Sequence, residues 1–297
     1  MSNIPKHLFT LQVPDLEIAA EAACEGGKIL AKYWKCPPSN FLFKDGSHYD
    51  LVSEVDVNSD HAVQSVLKTR CESDKILSEE LAPDTTACDP KKGRVWIIDP
   101  LDGTSAFLFR TDESAPSVMI ALLVDGVTEV AVVYQPLIGQ WTYAARSKGA
   151  FINGEPVVIC ERNSTITNAW VDMNHYGDSL YESDIFKQID AIVRGNGGAR
   201  LVSRSSPYSA IAIRILRQKE TQGLRGLTAC VHDHNPGKPK QLPWDIVPIQ
   251  LIVEEAGGVY VDSARGMEDR LDGFDLKGPI LVGNKSVVSE ILARLRQ

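Results

Sequence analysis

The chain has 297 residues, a hydrophobic share of 43% and a formal net charge of −8. That is enough apolar sequence for one large core or two packed ones. The acidic balance excludes a general nucleic-acid surface, which needs a basic face, but it leaves room for a small phosphorylated metabolite where bound cations reverse the local field.

Taken in chain order, Leu16, Ala19, Ala20, Ala23, Gly27, Leu30 and Ala31 share one stripe at helical spacing. They predict a helix over 15–34, which Pro37-Pro38 ends. Residues 39–55 are polar, and a second helix follows Asp56 with Ala62, Val63, Val66 and Leu67 facing inward. A short strand at 76–78 runs into Glu79-Glu80, and 82–93 reads as a surface loop. Strands follow at 95–98, 117–124, 127–134 and 140–145. The Asp125-Gly126 hairpin signal and the Asn153-Gly154 turn mark them as a mostly antiparallel meander. The rhythm changes near 155. Strands at 169–173, 200–203, 226–231, 259–261 and 280–282 alternate with helices at 178–194, 209–216, 244–255 and 286–295. The loop 232–243 is polar and proline-rich. The reading is two subdomains: an α+β unit over 1–155 and an α/β unit over 156–297 that carries Asp245 and the substrate loops.

Six cysteines are scattered without a Cys-x-x-Cys pair, so no zinc spacing exists and reduced cytoplasmic thiols are expected. The N-terminus lacks the basic-then-apolar order of a signal peptide. No apolar run has the length of a membrane span.

Two acidic clusters stand against apolar sequence. In the first, Asp99-Pro100-Leu101-Asp102-Gly103-Thr104 follows the apolar run 95–98. The strand is expected to end at Asp99, because proline stops the ladder and presets a turn. Asp99 and Asp102 then converge on one side. Gly103 permits close backbone approach, and Thr104 begins a helix whose first amides (Gly103, Thr104, Ser105) suit an anion. As a plain turn, the same segment would need Asp99 only as a cap. The second cluster, Trp244-Asp245, opens a helix that runs to Ala256-Gly257-Gly258. Glu79-Glu80 after a strand, and Asp50, Glu54 and Asp56 around Val52-Ser53, add carboxylates at further element ends. Such charge beside apolar sequence is costly without a cation. Oxygen-only ligands suit a hard divalent metal, and with it phosphate chemistry.

These segments resemble the inositol monophosphatase superfamily. Asp99–Thr104 is similar to its DPxDGT signature. Trp244-Asp245 with Ala256-Gly257-Gly258 is similar to its WD-x10-AGG signature. Asp50–Asp56 and Ser78-Glu79-Glu80 match its early acidic segments, and Val133-Tyr134, Pro136, Ala144, Gly149–Phe151 and Asn153-Gly154 follow in order. The resemblance implies a layered αβαβα sandwich of the inositol monophosphatase and fructose-1,6-bisphosphatase type. It implies Mg2+, two or three ions per site: one on Glu79, Asp99 and the Leu101 carbonyl, a second on Asp99, Asp102 and Asp245, and a third leaning on Glu79. Asp56 and Thr104 would orient and help deprotonate the attacking water. Gly103 and Thr104 would hold the phosphate, with Asp102, Ser206 and Asp245 on the substrate. Lithium sensitivity and a homodimer are common in the family.

Other residues carry weaker signals. Lys44 could match a family lysine near the phosphate, or be a solvated loop residue. Glu80 supports rather than ligates, and Trp244 packs. His232 and His234 would share one face of a strand end with no third zinc partner, and with His175 they suit a loop or substrate contact. Of Arg200, Arg204 and Arg214, Arg204 is the candidate for a second substrate charge. Pro207 within 205–210, the loop 232–243 and the segment 109–113 depart from the inositol enzymes on the substrate side. Substrates in view are inositol monophosphate, histidinol phosphate, a sugar phosphate or a 3′-phosphoadenosine nucleotide. Pro248 is reminiscent of the histidinol-phosphatase branch. A decayed, non-catalytic metal- and anion-binding relative is the reading of another class, and the retained acids oppose it.

Overall fold

The structure is a computed structural model that describes residues 4–36, 41–43, 51–82, 89–112, 116–159, 165–175, 183–204, 213, 215–216, 229–232, 243–267 and 277–296. The chain divides into two compact units. The first is Met1–Pro156 with Pro207–Ser209 and Pro243–Glu255, and the second is Val157–Ser206, Ala210–Leu242 and Ala256–Gln297.

The first unit is built on a seven-stranded sheet in sequence order: β3 (Lys75–Ser78), β4 (Arg94–Asp102), β5 (Ser117–Val124), β6 (Val127–Gln135), β7 (Gln140–Ala145), β8 (Gly149–Ile152) and β9 (Glu155–Val157). The β3–β4 pair is parallel, and the pairs from β4 to β8 are antiparallel. One face carries Trp96, Ile98, Val118, Ile120, Leu122, Val130, Val132, Tyr134, Trp141 and Tyr143. These pack in one core with α2 (Pro14–Lys35) and α3 (Glu54–Arg70). Alternate residues point to opposite sides of a strand. The other face therefore takes Ile97, Met119, Ala121, Ala131, Val133 and Ala144, all buried, and α6 (Pro243–Glu255) packs across β4 to β8. Nearly every residue of α6 is buried despite Pro248 inside it, as befits a helix that is apolar all round. Sequence order puts Asp245 with residues 156–297, whereas packing places its helix in the first unit.

Arg94 fixes the start of β4. Its guanidinium donates to Asp15 at the head of α2 (2.7 Å) and to Asp74 (3.0 Å), which also accepts from Trp96 Nε1 (2.9 Å). The short α1 (Lys6–Thr10) and the strands β8 and β9 carry no strong periodic signal. His7 anchors α1 on the sheet through Tyr143 (3.2 Å) and Phe151 (ring centroids 4.5 Å apart). A two-stranded antiparallel ribbon pairs β1 (Phe41–Phe43) with β2 (Leu51–Ser53).

The second unit has a five-stranded sheet of order β11-β10-β12-β14-β13. Its strands are β10 (Trp170–His175), β11 (Ala199–Arg204), β12 (Ala229–His232), β13 (Val259–Asp262) and β14 (Ile280–Gly283). β10 runs parallel to β11 and β12, and β14 runs antiparallel to β12 and β13. Val171, Met173, Val231, Val261 and Leu281 share a core with Ile189 and Val193 of α5 (Asp184–Gly195) and with Val288 and Ile291 of α7 (Lys285–Leu295). Of the helix read at 209–216, the described residues 213, 215 and 216 are helical. No helix among the described residues is long and apolar enough to cross a membrane.

Candidate functional site

Pro100 does not end its strand: β4 continues to Asp102, with an irregular register between Asp99, which pairs Met119, and Asp102, which pairs Ser117. The reason is the bulge itself. A residue at a bulge makes no ladder bond, so proline's missing N–H costs nothing there. The bulge leaves Asp99 and Asp102 on the same stretch of backbone, both buried, with the Leu101 amide donating to Asp99 Oδ1 at 3.0 Å. Gly103 then takes φ +90°, a left-handed conformation that a side chain would strain, and turns the chain into α4 (Thr104–Phe109).

The head of α3 meets this turn. Ser53 caps the helix: its Oγ accepts from the Val55 amide at 3.1 Å, while Asp56 Oδ2 accepts from the Ser53 amide (2.8 Å) and hydroxyl (2.6 Å). This leaves Asp56 Oδ1 to accept from Thr104 Oγ1 at 2.8 Å. The same hydroxyl lies 3.2 Å from the Leu101 carbonyl oxygen. Asp56 and Thr104, 48 positions apart, therefore form a hydrogen-bonded pair.

Glu79 is placed by the β3–β4 ladder. Ser78 pairs Ile98, and the Glu79 amide donates to the Ile98 carbonyl at 3.2 Å, so Glu79 leaves β3 alongside Asp99. Asp245 sits in the first turn of α6. At the far end of that helix, Glu255 accepts from the Ser147 and Gly149 amides (2.8 and 2.9 Å). Ser147 and Gly149 both have positive φ, the kind of turn that gathers amides around an anion. That contact fixes the helix on the β7–β8 turn.

The electrostatics converge on Asp99. Burial pushes its carboxyl well above the usual carboxylate range, and the charges of Glu79, Asp102 and Asp245 push it further up. A bond from the Leu101 amide opposes them weakly. Among the described residues, no group of three or more His, Cys, Asp and Glu side chains is drawn close enough to hold a metal as it stands. The four acids are neighbours, and like charges resist closing around one point unless a cation is shared. An oxygen-only donor set with this unfavourable mutual charge fits a hard divalent cation.

Lys44, Asp50, Ser206, Arg214 and His234 lie outside the described residues. Along the sheet of the second unit, His175 pairs Arg204 and Asn174 pairs His232, at one end of three parallel strands. Trp244 is buried, as a packing residue should be. Within 109–113, Arg110 adopts a positive φ and lays its guanidinium 5.2 Å from the Trp34 ring centroid, donating to the Trp34 carbonyl at 2.7 Å. Two residues escape the sequence reading, Ser59 and Asp60. Both are fully buried on α3 beside the acids. The available signal was their spacing from Asp56, three and four positions on, along one helix face.

The model of the family described as "Inositol monophosphatase family" matches residues 12–297. A histidinol-phosphatase of Chlorobaculum parvum is 30% identical over 273 residues, covering 89% of this chain and 91% of that protein. Nus factor SuhB of Escherichia coli is 28% identical over 95% of this chain and 96% of its own length. Among solved structures, the extragenic suppressor protein suhB of Bartonella henselae superposes with a TM-score of 0.74 at 20% identity, over 96% of this chain and 99% of that one. The α/β architecture and the ordered acidic motifs thus have one common source: the chain belongs to the inositol monophosphatase family.

Proposed function

We propose that this chain is a Mg2+-dependent phosphatase that hydrolyses a small phosphate monoester with an activated water. The observation that carries the reading is the buried Asp99 carboxyl, destabilised as an anion by Glu79, Asp102 and Asp245 together. A fold that gathers four acids around a buried strand end loses stability unless cations are part of the working state.

Glu79, Asp99, the Leu101 carbonyl, Asp102 and Asp245 would hold two or three Mg2+. When bound, these ions neutralise the charge of the ester, acidify the attacking water and stabilise the leaving oxygen. The chain's own residues supply the rest. Thr104 Oγ1 orients the water and receives its proton as its own moves along the 2.8 Å hydrogen bond to Asp56 Oδ1. The Gly103 and Thr104 amides bind phosphate oxygens, and the positive φ of Gly103 aims them. Asp102 and Asp245 would bind the alcohol side of the ester. No covalent enzyme intermediate is required.

The name carried by the Chlorobaculum relative favours histidinol phosphate as the first substrate to test, with inositol monophosphate, a sugar phosphate and a 3′,5′-bisphosphorylated nucleoside beside it. Phosphate release from this panel is measured with Mg2+, with chelator, and with Li+. The expected result is Mg2+-dependent, lithium-inhibited release from at least one ester, abolished in Asp99→Asn. Absence of release from every ester, or release indifferent to chelation, would overturn the proposal. The order of kcat/KM across the panel assigns the branch.

A further inference from the structure

From the geometry of α3 we infer that Asp60, with Ser59, is a positioning residue that sets the metal affinity of the site by splinting the segments carrying its acids. The inference rests on the metal centre proposed above.

Asp60 is fully buried, and two of its partners, Ser78 and Leu81, flank Glu79-Glu80. Its Oδ2 accepts from the Ser78 hydroxyl at 2.5 Å and from the Leu81 amide at 2.9 Å. Its Oδ1 accepts from Gln64 Nε2 at 2.9 Å. One carboxylate oxygen thus ties both ends of the turn that presents Glu79. The Ser78 amide closes the same turn by donating to the Ala82 carbonyl at 3.0 Å. Ser59, also fully buried, donates to the Pro100 carbonyl at 2.7 Å, inside the bulge between Asp99 and Asp102. Asp56 holds Thr104.

Positions 56, 59 and 60 are spaced i, i+3 and i+4, so they share one face of α3. From that face they bind the Glu79 turn, the Asp99–Asp102 bulge and the head of α4. Those segments belong to two separate stretches of chain, 78–82 and 99–104, and a single rigid helix sets their mutual spacing. The neighbouring helix α2 leaves space for this. A Cβ on Gly26 would stand 2.9 Å from Ser59 Oγ and 2.8 Å from Val63 Cγ2. A buried carboxylate is a poor way to gain stability, since an apolar residue of like volume serves as well or better. Its use here is geometric. Outer partners that orient metal-ligating carboxylates typically change metal affinity by about ten- to a hundredfold when removed.

The test is calorimetric titration of the full-length protein with Mn2+, in wild type, Asp60→Asn and Val132→Ala. The Asn variant removes the charge and leaves one acceptor oxygen where the carboxylate has two, weakening its bonds to Ser78, Leu81 and Gln64. Its dissociation constant for Mn2+ is expected to rise by about tenfold or more. The Mg2+ concentration for half-maximal hydrolysis rises with it, while kcat at saturating Mg2+ stays within about twofold. Val132→Ala truncates the buried core of the same unit. It is expected to lower the melting temperature and leave metal affinity unchanged. If Asp60→Asn melts lower but binds Mn2+ like wild type, Asp60 is structural only and the inference falls. If Asp60→Asn does not fold, Ser78→Ala takes its place. It removes one of the two bonds to Oδ2, and wild-type Mn2+ affinity in it would overturn the inference. Absence of saturable Mn2+ binding by the wild type would instead remove the metal centre itself, and this inference with it.

Discussion

At the scale of single residues, Asp99 concentrates the electrostatic cost of the acidic cluster in one side chain. Its carboxyl is raised by burial first and by Glu79, Asp102 and Asp245 next. A carboxyl whose folded pKa exceeds its unfolded value stabilises the fold fully below the unfolded pKa of about 4, and that contribution is lost as pH rises through the folded value. The metal-free protein should therefore melt progressively lower from pH 4 upward through the raised pKa of Asp99, with Asp99→Asn flattening that part of the profile. Divalent metal should raise the melting temperature more at pH 8 than at pH 5, because it stabilises the ionised form. Melting curves in chelator and in Mg2+ across this range check both signs. A wild-type profile that matches Asp99→Asn at every pH would refute the assignment. The acids of the site are legible in the sequence because each interrupts or ends an apolar element: Asp99 after 95–98, Glu79 after 76–78, Asp245 at the head of an apolar helix. Ser59 and Asp60 are legible only as a weak signal, their helical spacing from Asp56. They sit mid-helix, where polar residues ordinarily face water, and only the packing shows that this face is buried.

At the scale of elements, α2 is the brace that holds the sheet and α3 together. It does so through two adjacent glycines. A Cβ on Gly27 would stand 2.4 Å from the Tyr134 ring, which is itself stacked on Trp141 at a centroid distance of 3.8 Å. The ring is buried, and its stacking on Trp141 resists a retreat. Gly27→Ala should therefore destabilise the fold by about 1–3 kcal/mol, despite alanine's better helix propensity. Chemical denaturation reads this directly, and a stabilised variant would show that helix and sheet can separate freely. The helix itself is legible from its small-residue stripe. Why the stripe is small is not, because the reason lies in Tyr134 and Ser59, more than thirty positions away along the chain. The end of β4 is the counterpart. A proline read as a strand terminator is accommodated in a bulge, and the bulge brings Asp99 and Asp102 together.

At the scale of the whole molecule, each unit has its own apolar core, one on α2 and α3, the other on α5 and α7. The acids at 56, 79, 99, 102 and 245 all belong to the first unit. Hydrogen exchange with and without Mg2+ should then show protection gained in β3, β4, α4 and the head of α6. The amides of α5 and α7 should change little, since local opening energies differ between cooperative units. Equal protection across both units would contradict that division. The sequence by itself determined the element types, the meander, the acidic motifs and the family, because these rest on local periodicity and on residues at fixed spacing. Only the tertiary structure decided three things. It placed the helix of Asp245 in the first unit, anchored by Glu255 on the β7–β8 turn. It carried β4 through Pro100. It buried one face of α3 against Ser78, Pro100 and Thr104, with hydrogen bonds to all three. The physical reason is common to all three: which segments meet across tens of residues is set by burial and hydrogen bonding between them, and no local pattern in either segment records the other.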